Sequence, residues 1–300
     1  HMDDYFYPYK EQNSKGQSIA FPDSTSYDAF RKKGGTLDRD DWRRSNVDKF
    51  IEDLYHAIHK ARPTCKFGLS PFGIWRPHNP PSVTGLDQYS ELYADARKWI
   101  REGWVDYWTP QLYWAVSSPG QSYPALLSWW CDQNVCKRNM WPGLYTSRVE
   151  AGWKAQEILD QIAVTRKQEG ASGTVHFSMI CILRNTKGIA DALKKAYPDV
   201  ALVPPTPWLD SNKLPAAAKL AYGENSDTRG YRAKWDDRSK GKVDKWVVQV
   251  FSGNKWSTTI LPGTSHWLDV GGDVGKVDRF IVTPISITGV EGDVAEYYSR

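Results

Sequence analysis

The chain has no run of about 20 apolar residues, the length a helix needs to cross a bilayer. It also has no basic run. Its 39 Lys and Arg stand against 35 Asp and Glu, a net charge of only +4, too small and too scattered for a nucleic-acid footprint. A Gly-rich phosphate loop and a Gly-x-Ser-x-Gly elbow are both missing. Nucleotide cradling and α/β-hydrolase chemistry are thereby set aside. The four cysteines, Cys65, Cys131, Cys136 and Cys181, lack metal-ligand spacing. Cys131 and Cys136 fall five apart on one expected helix, an offset that does not face two side chains, so all four are expected to be buried thiols. His56 and His59 lie three apart on a helix with no acidic or Cys ligand beside them in sequence. They are expected to be surface histidines. No metal and no cofactor is expected, and no signal peptide can be read.

What the chain has in excess is aromatic: 15 Trp and 16 Tyr in 300 residues. About half can be assigned to packing; the remainder exceed what a core needs. Four runs concentrate them: Lys66-Phe-Gly-Leu-Ser-Pro-Phe-Gly-Ile-Trp-Arg76, Asp106-Tyr-Trp-Thr-Pro-Gln-Leu-Tyr-Trp114, Met140-Trp-Pro-Gly-Leu-Tyr145 and Ser172-Gly-Thr-Val-His-Phe-Ser178. Each reads as a short buried strand that ends in polar and aromatic residues, and each lies between amphipathic segments. A (β/α) barrel builds its site from such strand ends on its C-terminal face. Rings there suit a sugar, whose pyranose offers an apolar face to stack and hydroxyls to hydrogen-bond.

The opening His1-Met2 reads as a cloning scar. Asp3-Asp-Tyr-Phe-Tyr-Pro-Tyr9 already reads as the end of a strand, so further residues are expected to precede it. Residues 10–44 are polar and turn-rich and are expected to form a long loop. Val47, Phe50, Ile51, Leu54, Tyr55 and Ile58 recur at helical spacing, predicting a helix over Ser45–Arg62 with Ser45 and Asp48 as a capping box. Further helices are predicted over Leu86–Glu102, Tyr123–Val135, Ala155–Glu169 and Gly188–Tyr197. The strands between them are Lys66–Pro71, Trp104–Gln111, Met140–Leu144 and Thr174–Phe177. Alternation of this kind implies parallel β/α units.

The texture changes at Pro204-Pro-Thr-Pro-Trp208, a stiff linker. Beyond it, Tyr231–Trp235, Lys245–Phe251, Trp256–Leu261, His266–Val270 and Arg279–Ser286 alternate with period two, and Lys245–Phe251, a Gly-Asn turn and Lys255-Trp256 form a hairpin signal. About five to seven strands in about 85 residues fit a fibronectin type III-like sandwich. The expected architecture is therefore α/β: residues 3–203 as a partial (β/α) TIM-barrel-type domain holding only the second half of the barrel (strands 4–8), a linker at 204–212, and an all-β sandwich at 213–300.

Several segments together resemble the glycosyl-hydrolase-like family ten: Asp3–Tyr9, Asp41-Trp-Arg-Arg44, Phe67-Gly-Leu-Ser-Pro-Phe-Gly-Ile-Trp75, Leu92-Tyr-Ala-Asp95, Pro110-Gln-Leu-Tyr-Trp114, Gly188-Ile-Ala-Asp-Ala192 and Pro204-Pro-Thr-Pro-Trp-Leu209. The resemblance implies a bacterial envelope, periplasmic or secreted protein with a TIM barrel followed by a fibronectin-like domain. It implies cleavage of a polysaccharide, with peptidoglycan glycan strands as one substrate. It also places Asp3-Asp4 at the end of the fourth barrel strand. Where it implies a basic residue after the last strand, this chain has Met179 and Ile180.

Glycoside hydrolysis uses two carboxyl groups across the scissile bond. Asp3 and Asp4 are the catalytic candidates, although strand alternation is expected to aim only one of them into the site. Asp106 begins its strand and is expected on the opposite, N-terminal face. Asp40 and Asp41 are expected to cap or to pair with Arg43 or Arg44. The substrate-binding candidates are Tyr5, Tyr7, Ser70, Trp75, Arg76, Gln111, Tyr113, Trp114, Tyr145 and His176; barrel packing is the alternative for the aromatics. The expected partner is a polysaccharide or oligosaccharide, not nucleic acid. Open sheet edges add self-association. A non-catalytic carbohydrate-binding protein, or an inactive fragment of such an enzyme, is the second reading.

Overall fold

The computed structural model describes residues 1–225, 230–270 and 277–298. It divides into two compact units, His1–Ala196 and Tyr197–Arg300. Residues 226–229, 271–276 and 299–300 of the expected 213–300 sandwich lie outside the described residues.

The first unit opens with helices α1 (Ser24–Lys32) and α2 (Arg39–Ala61). The expected loop at 10–44 thus contains a helix and the start of another. Asp38, not Ser45, caps α2, its side chain accepting from Asp41 N at 2.8 Å. Asp40 and Asp41 in the first turn favour the same start, and His59 and Lys60 suit the last turn. Asp48 lies inside the helix and is no cap. It accepts from the buried Trp99 indole at 2.6 Å and from Lys98 Nζ at 2.8 Å.

Strand β1 (Gly68–Leu69) leads to α3 (Gln88–Glu91) and α4 (Ala96–Glu102). One helix was expected here. Asp87 and Asp95 each accept a backbone N–H three residues on, and Tyr93 between them takes φ 52°. Two N-caps in succession divide the segment. Leu92, Ala96, Trp99 and Ile100 are buried as their spacing predicts.

The alternation continues as β2 (Tyr107–Trp108), α5 (Tyr123–Gln133), β3 (Asn139–Met140), β4 (Gly143–Leu144), α6 (Ala155–Lys167), β5 (Val175–His176), α7 (Met179–Leu183) and α8 (Ile189–Ala196). Strands β1 to β5 pair in parallel. Leu69 pairs with Met2 and Trp108, Trp108 with Met140, and Leu144 with His176. Bridges Gln111–Gly143 and Met140–Ala171 join the two halves. Pro142, which has no N–H to give, separates β3 from β4. Leu69, Trp108, Trp130, Tyr123 and Ile51 are fully buried between strands and helices, as a parallel sheet requires.

At the N-terminal strand ends the buried Asp106 accepts from Phe67 N at 2.7 Å. His59 Nε2 lies 3.0 Å from the same carboxylate, so His59 is a half-buried partner of Asp106 and not a free surface histidine. The thiols also differ from expectation. Cys181 is buried, Cys131 half-buried, and Cys65 and Cys136 are exposed. Burial pushes the Cys131 thiol up to about 12.

The second unit holds β6 (Ala218–Asn225), β7 (Gly230–Asp236), β8 (Lys245–Ser252), β9 (Lys255–Pro262), β10 (Trp267–Val270), β11 (Arg279–Ile285) and β12 (Ala295–Tyr298). They form antiparallel sheets of order β10-β7-β6 and β12-β11-β8-β9. Trp235, Trp246, Val248, Phe280 and Val282 fill the core. Gly253 (φ 54°) and Asn254 (φ 62°) close the β8–β9 hairpin, both central residues having the positive φ of a type I′ turn. The Pro-rich stretch is bonded to this unit: Thr206 N donates to Thr288 O at 2.8 Å.

A buried ion pair ties α1 to α2. Arg43 Nε and Nη2 donate to the two oxygens of Asp23 at 2.7 and 2.8 Å, and Nη1 donates to Tyr93 OH at 2.6 Å. Asp40 stands 3.5 Å from Arg43, and Asp41 2.5 Å from Arg44. Removing one member of a buried pair strands the other charge. Asp23→Ala is therefore expected to lower unfolding free energy by about 3 kcal/mol, measured by urea denaturation, whereas Lys49→Ala, at an exposed pair with Asp53, changes it little.

Candidate active site

The parallel register brings the residues after Met2, Leu69 and Trp108 to one edge of the sheet. Gly73 allows the closest approach. A Cβ there would sit 2.2 Å from the carbonyl oxygen of Gln111, closer than any side chain can come. Gln111 itself joins three segments. Its amide Nε2 donates to Asp3 Oδ1 at 2.7 Å and to Ser70 O at 2.9 Å. The Ser70 hydroxyl is committed to Thr109 O at 3.0 Å.

Asp3 and Asp4 differ in surroundings. Asp3 is exposed and Asp4 is 6% exposed. The chain bends here, with Phe6 N donating to Asp4 O at 3.0 Å. The charges of both carboxyls act on Tyr113. Burial first, then the charges of Asp3 and Asp4, push the Tyr113 hydroxyl above its ordinary range. Burial also raises the Asp4 carboxyl, and the neighbouring Asp3 adds to it. Tyr9 opposes this by donating its hydroxyl to Asp4 Oδ2 at 2.7 Å.

Beside the carboxyls is an aromatic wall. Tyr113 lies 5.0 Å from Tyr145 and 5.7 Å from Phe177, ring centre to ring centre. Tyr113, Trp114, Tyr145, Arg148 and Trp153 line a cavity of about 580 Å³. His176 Nδ1 lies 2.7 Å from Thr146 Oγ1 behind this wall. Burial lowers its pKa, which keeps the imidazole neutral.

Other expected residues fall elsewhere. Trp75 donates its indole N–H to Asp95 at 3.0 Å and stacks on Trp129 of α5 at 5.9 Å. Arg76 pairs with Asp87 at 3.3 Å and covers Tyr89. Both are engaged with the helical layer of α3–α5. Tyr5 is 74% exposed. Tyr7 packs edge-on to Phe21 and Tyr93, each at 5.0 Å. Sequence reasoning missed Tyr9, Trp153 and Phe177 as site residues. Phe177 follows His176 at a strand end, so the strand-end rule reaches it; Trp153 follows a helical turn and carries no such signal. Among the described residues no three His, Cys, Asp or Glu gather as metal ligands.

The family model of glycosyl hydrolase-like 10 matches residues 1–159. The chain belongs to this family. It is 36% identical over 277 residues to glycosyl hydrolase YngK of Bacillus subtilis (strain 168), covering 87% of this chain and 52% of that protein. It is 31% identical over 192 residues to glycosyl hydrolase DigH of Escherichia coli (strain K12), covering 59% and 42%. The chain thus spans about half the length of the curated relatives it matches. A fibronectin type III domain of human collagen XX overlays 33% of the chain at 15% identity with a TM-score of 0.24, an overlap too low to carry an argument.

The raised Asp4 carboxyl has a consequence for stability. The folded state holds the Asp4 proton more tightly than the unfolded chain does. Stability is therefore complete below the unfolded carboxyl range and is lost as pH rises through the folded pKa. Asp4→Asn removes that loss. Its melting temperature relative to the wild-type chain is expected to be higher at pH 7 than at pH 3.5, measured by calorimetry at both values.

Proposed function

We propose that the chain carries the acid/base carboxyls of a glycoside hydrolase acting on a polysaccharide. Peptidoglycan glycan strands are the substrate we assign to it. The observation that carries this reading is the contrast between two adjacent carboxyls. Asp4 is buried, and burial with the neighbouring Asp3 raises its carboxyl above the ordinary range, the direction a general acid requires. Asp3 is exposed and accepts the Gln111 amide at 2.7 Å. Environments that push two carboxyls apart assign acid and base roles. Asp4 gives its proton to the glycosidic oxygen as the bond from that oxygen to the anomeric carbon breaks; Asp3 faces the positive charge that develops on the ring that keeps the anomeric carbon, and water adds there to complete the hydrolysis. Tyr113, Tyr145 and Trp114 offer faces for the pyranose to stack on. A substrate in the cell wall supports a periplasmic or secreted location.

The cavity beside Arg148 is lined by aromatics and by no carboxylate. That favours a second reading, a binding protein that holds a glycan without cleaving it. Digestion of denuded glycan strands, read by mass spectrometry, separates the two. Asp3→Asn and Asp4→Asn are each expected to lower turnover by about 10²- to 10⁴-fold while leaving glycan binding in place. Undiminished turnover in both variants would refute the assignment.

We extend the proposal to the architecture. Five successive parallel segments, each followed by helical cover, support the second half of a (β/α) barrel in the first unit. Sheets of three and four antiparallel strands support a fibronectin type III-like sandwich in the second. β5 is an end strand, paired with β4 on one side among the described residues. There Val175, Phe177, Met179, Ile180 and Leu183 are all exposed, Leu183 at 75%. An apolar edge of this kind is a template for pairing, and we assign it to self-association of two copies. Light scattering at micromolar concentration is expected to give a dimer, and Met179→Glu with Leu183→Glu a monomer. A wild-type monomer would reject it.

A further inference from the structure

The first unit has a second cleft, with Tyr9 in its wall. It has a volume of about 440 Å³, with Tyr7, Tyr9, Phe21 and Tyr93 among its walls. Its floor is fixed, because the buried Arg43 is held by both oxygens of Asp23 and by the Tyr93 hydroxyl. The guanidinium also covers the Tyr93 ring at 4.7 Å. Tyr7 and Phe21 meet edge to face at 5.0 Å. Phe21 is 41% exposed, so its ring is open to a ligand.

The charges of the cleft decide what kind of ligand fits. Lys10 is paired with Glu91 at 3.1 Å. Arg43 is neutralised by Asp23, with Asp40 3.5 Å away. Glu11 also lines the cleft and has no ion-pair partner among the described residues. No cation is left to receive an acidic group, and the one spare charge repels it. Aromatic faces, hydroxyls and a weakly negative rim suit a neutral ring that carries its own hydroxyls. One wall is Tyr9, whose hydroxyl bonds Asp4, so a ring seated here lies one side chain from the carboxyl pair.

The geometry points to this cleft as a separate subsite for a neutral sugar unit, next to the carboxyl pair and distinct from the Tyr113–Trp153 wall. It extends the glycan-cleaving reading and rests on it. A glycan that fills both places would have a neutral unit in the cleft and any acidic unit elsewhere along the strand.

The test uses the full chain and two probes: the tetramer of N-acetylglucosamine, which is neutral, and the tetramer of galacturonic acid, which is anionic. Binding is measured by calorimetric titration. The neutral probe is expected to bind the wild-type chain more tightly than the anionic one. Phe21→Ala is expected to weaken neutral-probe binding by about three- to tenfold, the share of one aromatic contact. Glu11→Gln leaves the packing alone and is expected to narrow the gap between the probes. Circular dichroism identifies any variant that has not folded. Equal binding of the neutral probe by wild type and folded Phe21→Ala, or a gap that Glu11→Gln leaves unchanged, overturns the subsite. Binding that depends on Phe21 in a chain that cleaves no glycan sinks the hydrolase reading and keeps the cleft. Cleavage by a chain whose binding ignores Phe21 does the reverse.

Discussion

The candidate site depends on one side-chain amide. Gln111 donates both hydrogens of its nitrogen, one to the Asp3 carboxylate and one to the Ser70 carbonyl. Three successive parallel segments are held together at that point. The bonds are possible only because the backbone after β1 comes close to that after β2, and Gly73 is what permits the approach. Hydrogen bonds to charged acceptors are the stronger kind. The amide fixes one carboxyl and leaves the other to its own surroundings.

Those surroundings create the chemical asymmetry. Asp4 and Asp3 are neighbours in sequence with the same side chain, yet one is closed in by Tyr9 and the other faces water. Burial disfavours charge, and a nearby like charge disfavours it further. Tyr9 moderates the effect, since a donated hydrogen bond favours the ionised form. The site is thus a balance of three groups within nine residues, backed by rings from later strands. Its cost falls on folding: a buried acid that must stay near a second acid is a poor choice for stability and a useful one for proton transfer.

Much of this was legible in the sequence. Period and punctuation placed α2, α5, α6 and β8–β9 to within a few residues at most ends, because hydrophobic spacing reports which face is buried. The strand-end rule named Gln111, Tyr113, Trp114 and Tyr145, and the structure brings Gln111 to Asp3 and Tyr113 to Tyr145. It also named Trp75 and Arg76, which the loop after β1 carries to Asp95, Asp87 and the helices. That is a tertiary choice no local pattern contains. The divided α3–α4 segment was hidden for a similar reason, since Asp87 and Asp95 read equally well as helix-surface acids. Tyr9 gave no signal because its role needs a bend at Asp4 that alternation does not predict. The helix in residues 24–32 is polar on most faces, and its anchors, the Asp23–Arg43 pair and the packing of Tyr27 and Phe30 on Trp42, join positions a dozen or more apart.

The bond from Gln111 to Asp3 spans 108 positions of chain, and Met2 meets Leu69 across a shorter but still long-range separation. Contacts of such range carry a loop-closure cost that local helices and neighbouring strands do not. They are also held by few bonds, so the opening segment can detach while the rest of the sheet stays intact. Amide exchange in residues 2–9 is then governed by a partial opening and not by global unfolding. A glycan that spans Asp3, Asp4 and the strand ends would act as a clasp on that segment, so ligand occupancy and the kinetics of assembly become two readings of the same seam.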